Sequence, residues 1–162
     1  MNKKIWCFAE QGNIHKKNNI PCEDKVISGV KEGMRYIALA DGAGSLKCCA
    51  VGAQCAVEAV VEYVSKNFER LLTESLSKTK YIILNHVLYS IKQKAGARNI
   101  KDFGSTLLFV GVKNDKCIVF HLGDGLIAAE YNTEFKVISA PMNGINKKYT
   151  YKRTHNNECV LF

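Results

Sequence analysis

Apolar positions along this chain come first in short blocks, then at helical spacing, then in short blocks again. Ile5 to Gln11 reads as a first strand. Lys25 to Gly29 and Met34 to Ala40 read as a hairpin around Val30-Lys31-Glu32-Gly33, because β-branched residues flank a turn. From Ala50 to Asn67 the spacing of Val51, Ala53, Cys55, Ala56, Ala59, Val60, Tyr63 and Val64 predicts an amphipathic helix. A second helical region runs from Phe68 to Lys94, with Tyr81, Leu84, Val87, Leu88 and Ile91 on one face. Ala95-Gly96-Ala97 ends it.

Strand patterns then return. Thr106 to Val112 and Cys117 to Leu122 flank a turn at Asn114-Asp115, and Leu126 to Glu130 and Phe135 to Ser139 flank one at Asn132-Thr133. Glu158 to Phe162 begins a last strand. Strands, two helices and strands again predict an α+β fold with helices packed on antiparallel sheet. With only two prolines and no linker or repeat, residues 1–162 read as one domain.

Composition narrows the classes. At 47% hydrophobic and 23% charged, the chain is a folded domain rather than a disordered one. No apolar run approaches the length needed to span a bilayer. The stretch after Met1-Asn2-Lys3-Lys4 is too short for a secretory leader, which needs roughly seven to fifteen apolar residues. A cytoplasmic protein without a membrane partner is expected. Seven cysteines without CxxC spacing fit small buried thiols in a reducing compartment, not a disulfide framework or a zinc ribbon. The net charge of +8 is densest between Asn146 and Arg153, where bases and aromatics interleave. A polar loop or edge strand accounts for that cluster better than a nucleic-acid surface does.

The chemical signal is acidic. Glu23-Asp24 precedes one strand, Asp41-Gly42-Ala43-Gly44-Ser45 follows another, and Gly123-Asp124-Gly125 follows a third. Each taken singly is also a common turn or surface sequence. Together, carboxylates at neighbouring strand ends can hold hard divalent cations, and such ions support phosphoryl chemistry.

In that order the blocks resemble the metal-dependent serine/threonine protein phosphatases of type 2C, in particular their compact bacterial branch. The resemblance is carried by five stretches. These are Gly12 to Asp24, Ala40-Asp41-Gly42-Ala43-Gly44-Ser45 with Gly52-Ala53, Phe103 to Leu108, Leu122-Gly123-Asp124-Gly125, and Pro141-Met142-Asn143-Gly144. It implies an α-β-β-α sandwich of two antiparallel sheets flanked by helices. It also implies two Mn²⁺ or Mg²⁺ ions, with a third position near Asp124. Asp41 would bridge the two ions, Glu23 and the Gly42 carbonyl would hold one of them, and Asp24 would orient water. A metal-bridging hydroxide would then hydrolyse phosphoserine or phosphothreonine in a phosphorylated protein substrate. Ala43 stands where eukaryotic members carry a histidine, for which His15 is the candidate substitute, and Asn19 near where they carry a phosphate-binding arginine, for which Lys16 or Lys17 is the candidate. The resemblance covers roughly the first two-thirds of the family domain and lacks two later aspartates, so a C-terminally truncated domain with weak turnover is expected. The alternative is an inactive, phosphatase-like binding or regulatory protein whose open sheet edge is covered by a partner chain.

Overall fold

A computed structural model of the chain describes residues 5–131, 134–141 and 159–161. The basic cluster at 146–153, the turn at 132–133 and most of the block at 141–144 lie outside the described residues.

Two hairpins build the main sheet. Strands β1 (Lys25–Lys31) and β2 (Met34–Ala40) pair antiparallel from Lys25↔Ala40 to Lys31↔Met34. The strand reaches further than the pattern predicts, and the turn contracts to Glu32-Gly33, both at positive φ (50° and 74°). That is the two-residue geometry whose twist matches the flanking strands. Strands β3 (Leu107–Lys113) and β4 (Lys116–Leu122) repeat the device at the expected Asn114-Asp115, with φ of 49° and 62°. Strand β3 also pairs with β2. Strands β5 (Ile127–Tyr131) and β6 (Glu134–Ser139) form a separate two-stranded sheet, and β7 (Cys159–Leu161) joins the free side of β4. The five-stranded order is therefore β1-β2-β3-β4-β7, antiparallel except for the last pairing. The two sheets are tied by His121 Nδ1 and Ser139 Oγ at 2.6 Å. Burial holds the His121 imidazole below its ordinary pKa.

The helical layer follows after a short N-terminal helix α1 (Asn13–Lys17). Helix α2 (Cys49–Thr73) packs on β1, β2 and β3, and α3 (Leu76–Ala95) packs on α2. The break between them falls at Glu74-Ser75, where the Ser75 hydroxyl accepts from the Lys78 N–H. Phe68 belongs to α2, not to the second helix as the pattern suggests. The buried face of α3 is Thr79, Ile83, Val87, Ile91 and Ala95, spaced four apart. Tyr81 and Leu88, expected on that face, are exposed. Helix register is set by the closest line of packing, and the i, i+4 row beginning at Thr79 wins it. Phe68, Phe103, Phe109, Phe120 and Met34 fill the space between helices and sheet.

The α+β class is as expected. Of the four expected layers, the described residues build one helical layer and two sheets. The side of the main sheet away from α2 carries Ile37 and Leu39, which are 39% and 40% exposed. The first predicted strand does not form. Residues 5–12 are irregular, and Trp6 and Phe8 lie in solvent at 80% and 88% exposure. An apolar alternation becomes a strand only where an edge pairs with it. Cys7 meets β1 through Ser28 Oγ (3.1 Å), a side-chain contact, and no ladder forms. Of the five free cysteines among the described residues only Cys49 is buried, and Cys117 is disulfide-bonded, so the expectation of small buried thiols in a reducing compartment is not met. No helix among the described residues is long and apolar enough to cross a membrane.

Candidate active site

Asp41 is the first residue past β2, and the register of β2 with β3 continues beyond both strands. Leu39 faces Leu108, and Gly42 bridges to Ser105. The Ala43 N–H donates to the Gly104 carbonyl (3.1 Å), the Thr106 N–H donates to the Asp41 carbonyl (2.9 Å), and the Asp41 N–H donates to Thr106 Oγ1 (2.9 Å). The Asp41 loop is thus pinned to the segment entering β3. That segment is anchored in turn by α2: a Cβ on Gly52 would meet the Phe103 carbonyl oxygen at 2.0 Å. Helix and backbone touch there with no room for a side chain.

Glu23 and Asp24 immediately precede β1, which lies beside β2, so the sheet brings both acids to the Asp41 end. Glu23 is half-buried. Its carboxylate hydrogen-bonds the buried Cys49 thiol, and burial, then this contact and its charge, push that thiol up. A Cβ on Gly44 would lie 2.8 Å from Glu23 Oε2, so the loop after Asp41 closes over this carboxylate. Asp124 follows β4 in the turn Gly123-Asp124-Gly125, whose glycines have φ of 101° and 127°.

The other three acids bear on Asp41. Burial, then a hydrogen bond to Asp24, then the charges of Asp24, Asp124 and Glu23 push the Asp41 carboxyl up to about 6. A hydrogen bond between two carboxyls needs a proton on one of them, so Asp41 gives up its proton less readily than an ordinary carboxyl does. Asp41 keeps one side in solvent, which screens the effect in part. A cavity of about 230 Å³ opens beside Asp24 and Asp41, walled by Phe8, Val26 and Leu39.

His15 and Lys16 are not drawn into this arrangement. Both are exposed on α1, neither borders the cavity, and Lys16 pairs with Glu10 at 3.1 Å. A larger cleft of about 470 Å³, bordered by Glu58, Glu62 and His86, shares no residue with the rim, and Glu62 there is engaged by Lys31 and Lys66.

The family model described as Protein phosphatase 2C matches residues 11–159. This chain belongs to the protein phosphatase 2C family. The match runs through every strand-end acid of the rim. Serine/threonine-protein phosphatase 3 of Escherichia coli (strain K12) is similar to this phosphatase 2C chain, at 23% identity over 152 residues. That alignment covers 89% of this chain and 60% of the relative, so the chain spans about three-fifths of that protein's length. No solved structure matches it.

Cys49 and Thr106 are the site residues that sequence patterns do not reveal. Thr106 lies in a block that resembles the family, yet its partner is set by strand register. Cys49 carries no motif at all.

Proposed function

We propose that this chain is a metal-dependent protein phosphatase acting on phosphoserine and phosphothreonine. The observation that carries the reading is Asp41, pushed up to about 6 amid three further carboxylates. A rim that concentrates negative charge is suited to a cation.

The donor chemistry fits Mn²⁺ or Mg²⁺, since every candidate ligand is an oxygen. Among the described residues no three His, Cys, Asp or Glu side chains are already closed around a single point, so the acids must draw in around an ion as it binds. Glu23, Asp41 and the Gly42 carbonyl would hold two ions, and Asp124 would serve a third, weaker position. Such ions, when bound, lower the pKa of water and offset charge on the phosphoryl oxygens.

The chain's own residues do the rest. Asp24, beside Asp41 at the rim, orients the attacking water and accepts its hydrogen bond. The Cys49 contact and the closed Gly44 loop hold Glu23 facing the rim. The cavity beside Phe8 and Leu39 gives the phosphorylated side chain an apolar wall for its methylene or methyl group. Water oxygen bonds to phosphorus, the ester P–O bond breaks, and the serine or threonine oxygen leaves with a proton.

Slow hydrolysis of p-nitrophenyl phosphate is expected in the presence of Mn²⁺, suppressed by EDTA and reduced to background by Asp41→Ala. Equal turnover by the wild type and Asp41→Ala at saturating Mn²⁺ would remove the reading.

A further inference from the structure

Asp41 and Thr106 face one another where the β2–β3 register runs on past both strands, as the Leu39↔Leu108 pairing and the Gly42↔Ser105 bridge on either side require. A regular antiparallel rung of this kind exchanges two backbone hydrogen bonds. Here one is regular, from the Thr106 N–H to the Asp41 carbonyl at 2.9 Å. For the other, the Asp41 N–H reaches the Thr106 hydroxyl at 2.9 Å, which takes the place of a main-chain carbonyl. One residue therefore meets both polar groups of the Asp41 main chain. The same side chain also packs on the third acidic turn: a Cβ on Gly123 would lie 2.7 Å from Thr106 Cγ2.

We propose that Thr106 is the positioning residue of the carboxylate rim. Its hydroxyl fixes the Asp41 main chain, its methyl seats the Gly123-Asp124 turn, and together they set how tightly the rim takes a divalent cation. The inference rests on the metal-dependent reading above. Neither valine nor serine reproduces both functions, since valine lacks the acceptor and serine lacks the methyl. Changing outer groups that orient ligands in this way typically costs about 10–100-fold in metal affinity.

The test uses the full chain at pH 7.5, with Mn²⁺ binding followed by the electron paramagnetic resonance signal of the free ion and melting followed separately in EDTA. Thr106→Val is expected to weaken Mn²⁺ binding about tenfold, with Thr106→Ser falling between it and the wild type. Should the valine variant fail to fold, Thr106→Ser against Thr106→Ala isolates the hydroxyl, and the serine variant is expected to bind more tightly. Unchanged Mn²⁺ affinity in Thr106→Val, or in Thr106→Ala where that comparison is used, overturns the assignment even if melting falls. Such a result leaves the phosphatase reading standing. If instead the wild type and Asp41→Ala bind Mn²⁺ alike, the phosphatase reading fails and takes this inference with it.

Discussion

Asp41→Asn is expected to raise the melting temperature of the metal-free protein at pH 7.5 while removing its response to Mn²⁺. The sign follows from the direction of the Asp41 shift. Its carboxyl is raised from an ordinary 3.8 to about 6 in the folded chain. Between those values the native state holds a proton that the unfolded state has lost. The stability tied to that proton is complete below about 4 and lost as pH rises through about 6. Asparagine has no such loss and can still donate a hydrogen bond to Asp24. The gap between variant and wild type should therefore open across pH 4 to 7 and stay constant above it. Because Asp41 is exposed on one side, the screened effect should be modest, about 2–4 °C in a domain of this size. Saturating Mn²⁺ reverses the ranking, since an ion that binds only the folded wild type stabilises only the wild type. Melting scans at several pH values, with EDTA and with Mn²⁺, read both effects. A variant that is less stable at every pH by the same amount would contradict the picture of a strained acidic rim.

Gly52→Ala should produce the largest loss of stability from a single added methyl. Alanine is the better helix former by about 1 kcal/mol, so propensity alone predicts a gain. Packing opposes it. The new Cβ would stand 2.0 Å from the Phe103 carbonyl oxygen and 2.7 Å from its carbonyl carbon, and backbone cannot swing aside as a side-chain tip can. Overpacking of this kind costs about 1–3 kcal/mol, or roughly 3–10 °C here. The displaced segment, Phe103 to Thr106, is the one that holds Ala43 and Asp41 by hydrogen bonds. Mn²⁺ affinity should therefore fall along with the melting temperature, although Gly52 is no part of the rim. Urea unfolding combined with Mn²⁺ titration checks both. An unchanged midpoint would mean that α2 can move away from Phe103 at little cost.

Much of the architecture could be read from the chain. The Asn114-Asp115 turn was legible because an Asn-Asp pair between apolar runs leaves a strand few alternatives. Helix α2 was legible because its small residues recur at helical spacing, and its extension to Thr73 follows from Phe68 and Leu71 reaching the core. The face of α3 was not. Leu88 is as apolar as Ile83, and only the position of α2 decides which line of side chains is buried. Ile5 to Gln11 has a strand's pattern, but pairing is a property of its neighbours. The rim divides in the same way. Asp41-Gly42 stands out because an apolar run stops there abruptly. Thr106 and Cys49 act through hydrogen bonds that arise once distant segments meet, 65 residues apart for Thr106 and Asp41.

Along β2, neighbouring positions tolerate change by opposite rules. Ala38 and Ala40 have no accessible surface, while Ile37 and Leu39, which alternate with them, each keep about two-fifths of theirs. A single step along that strand separates sites where even one extra carbon atom must displace something from sites open to polar replacement. A library of β2 variants scored for folding should therefore show a two-residue rhythm of intolerance and permissiveness that ends at Asp41.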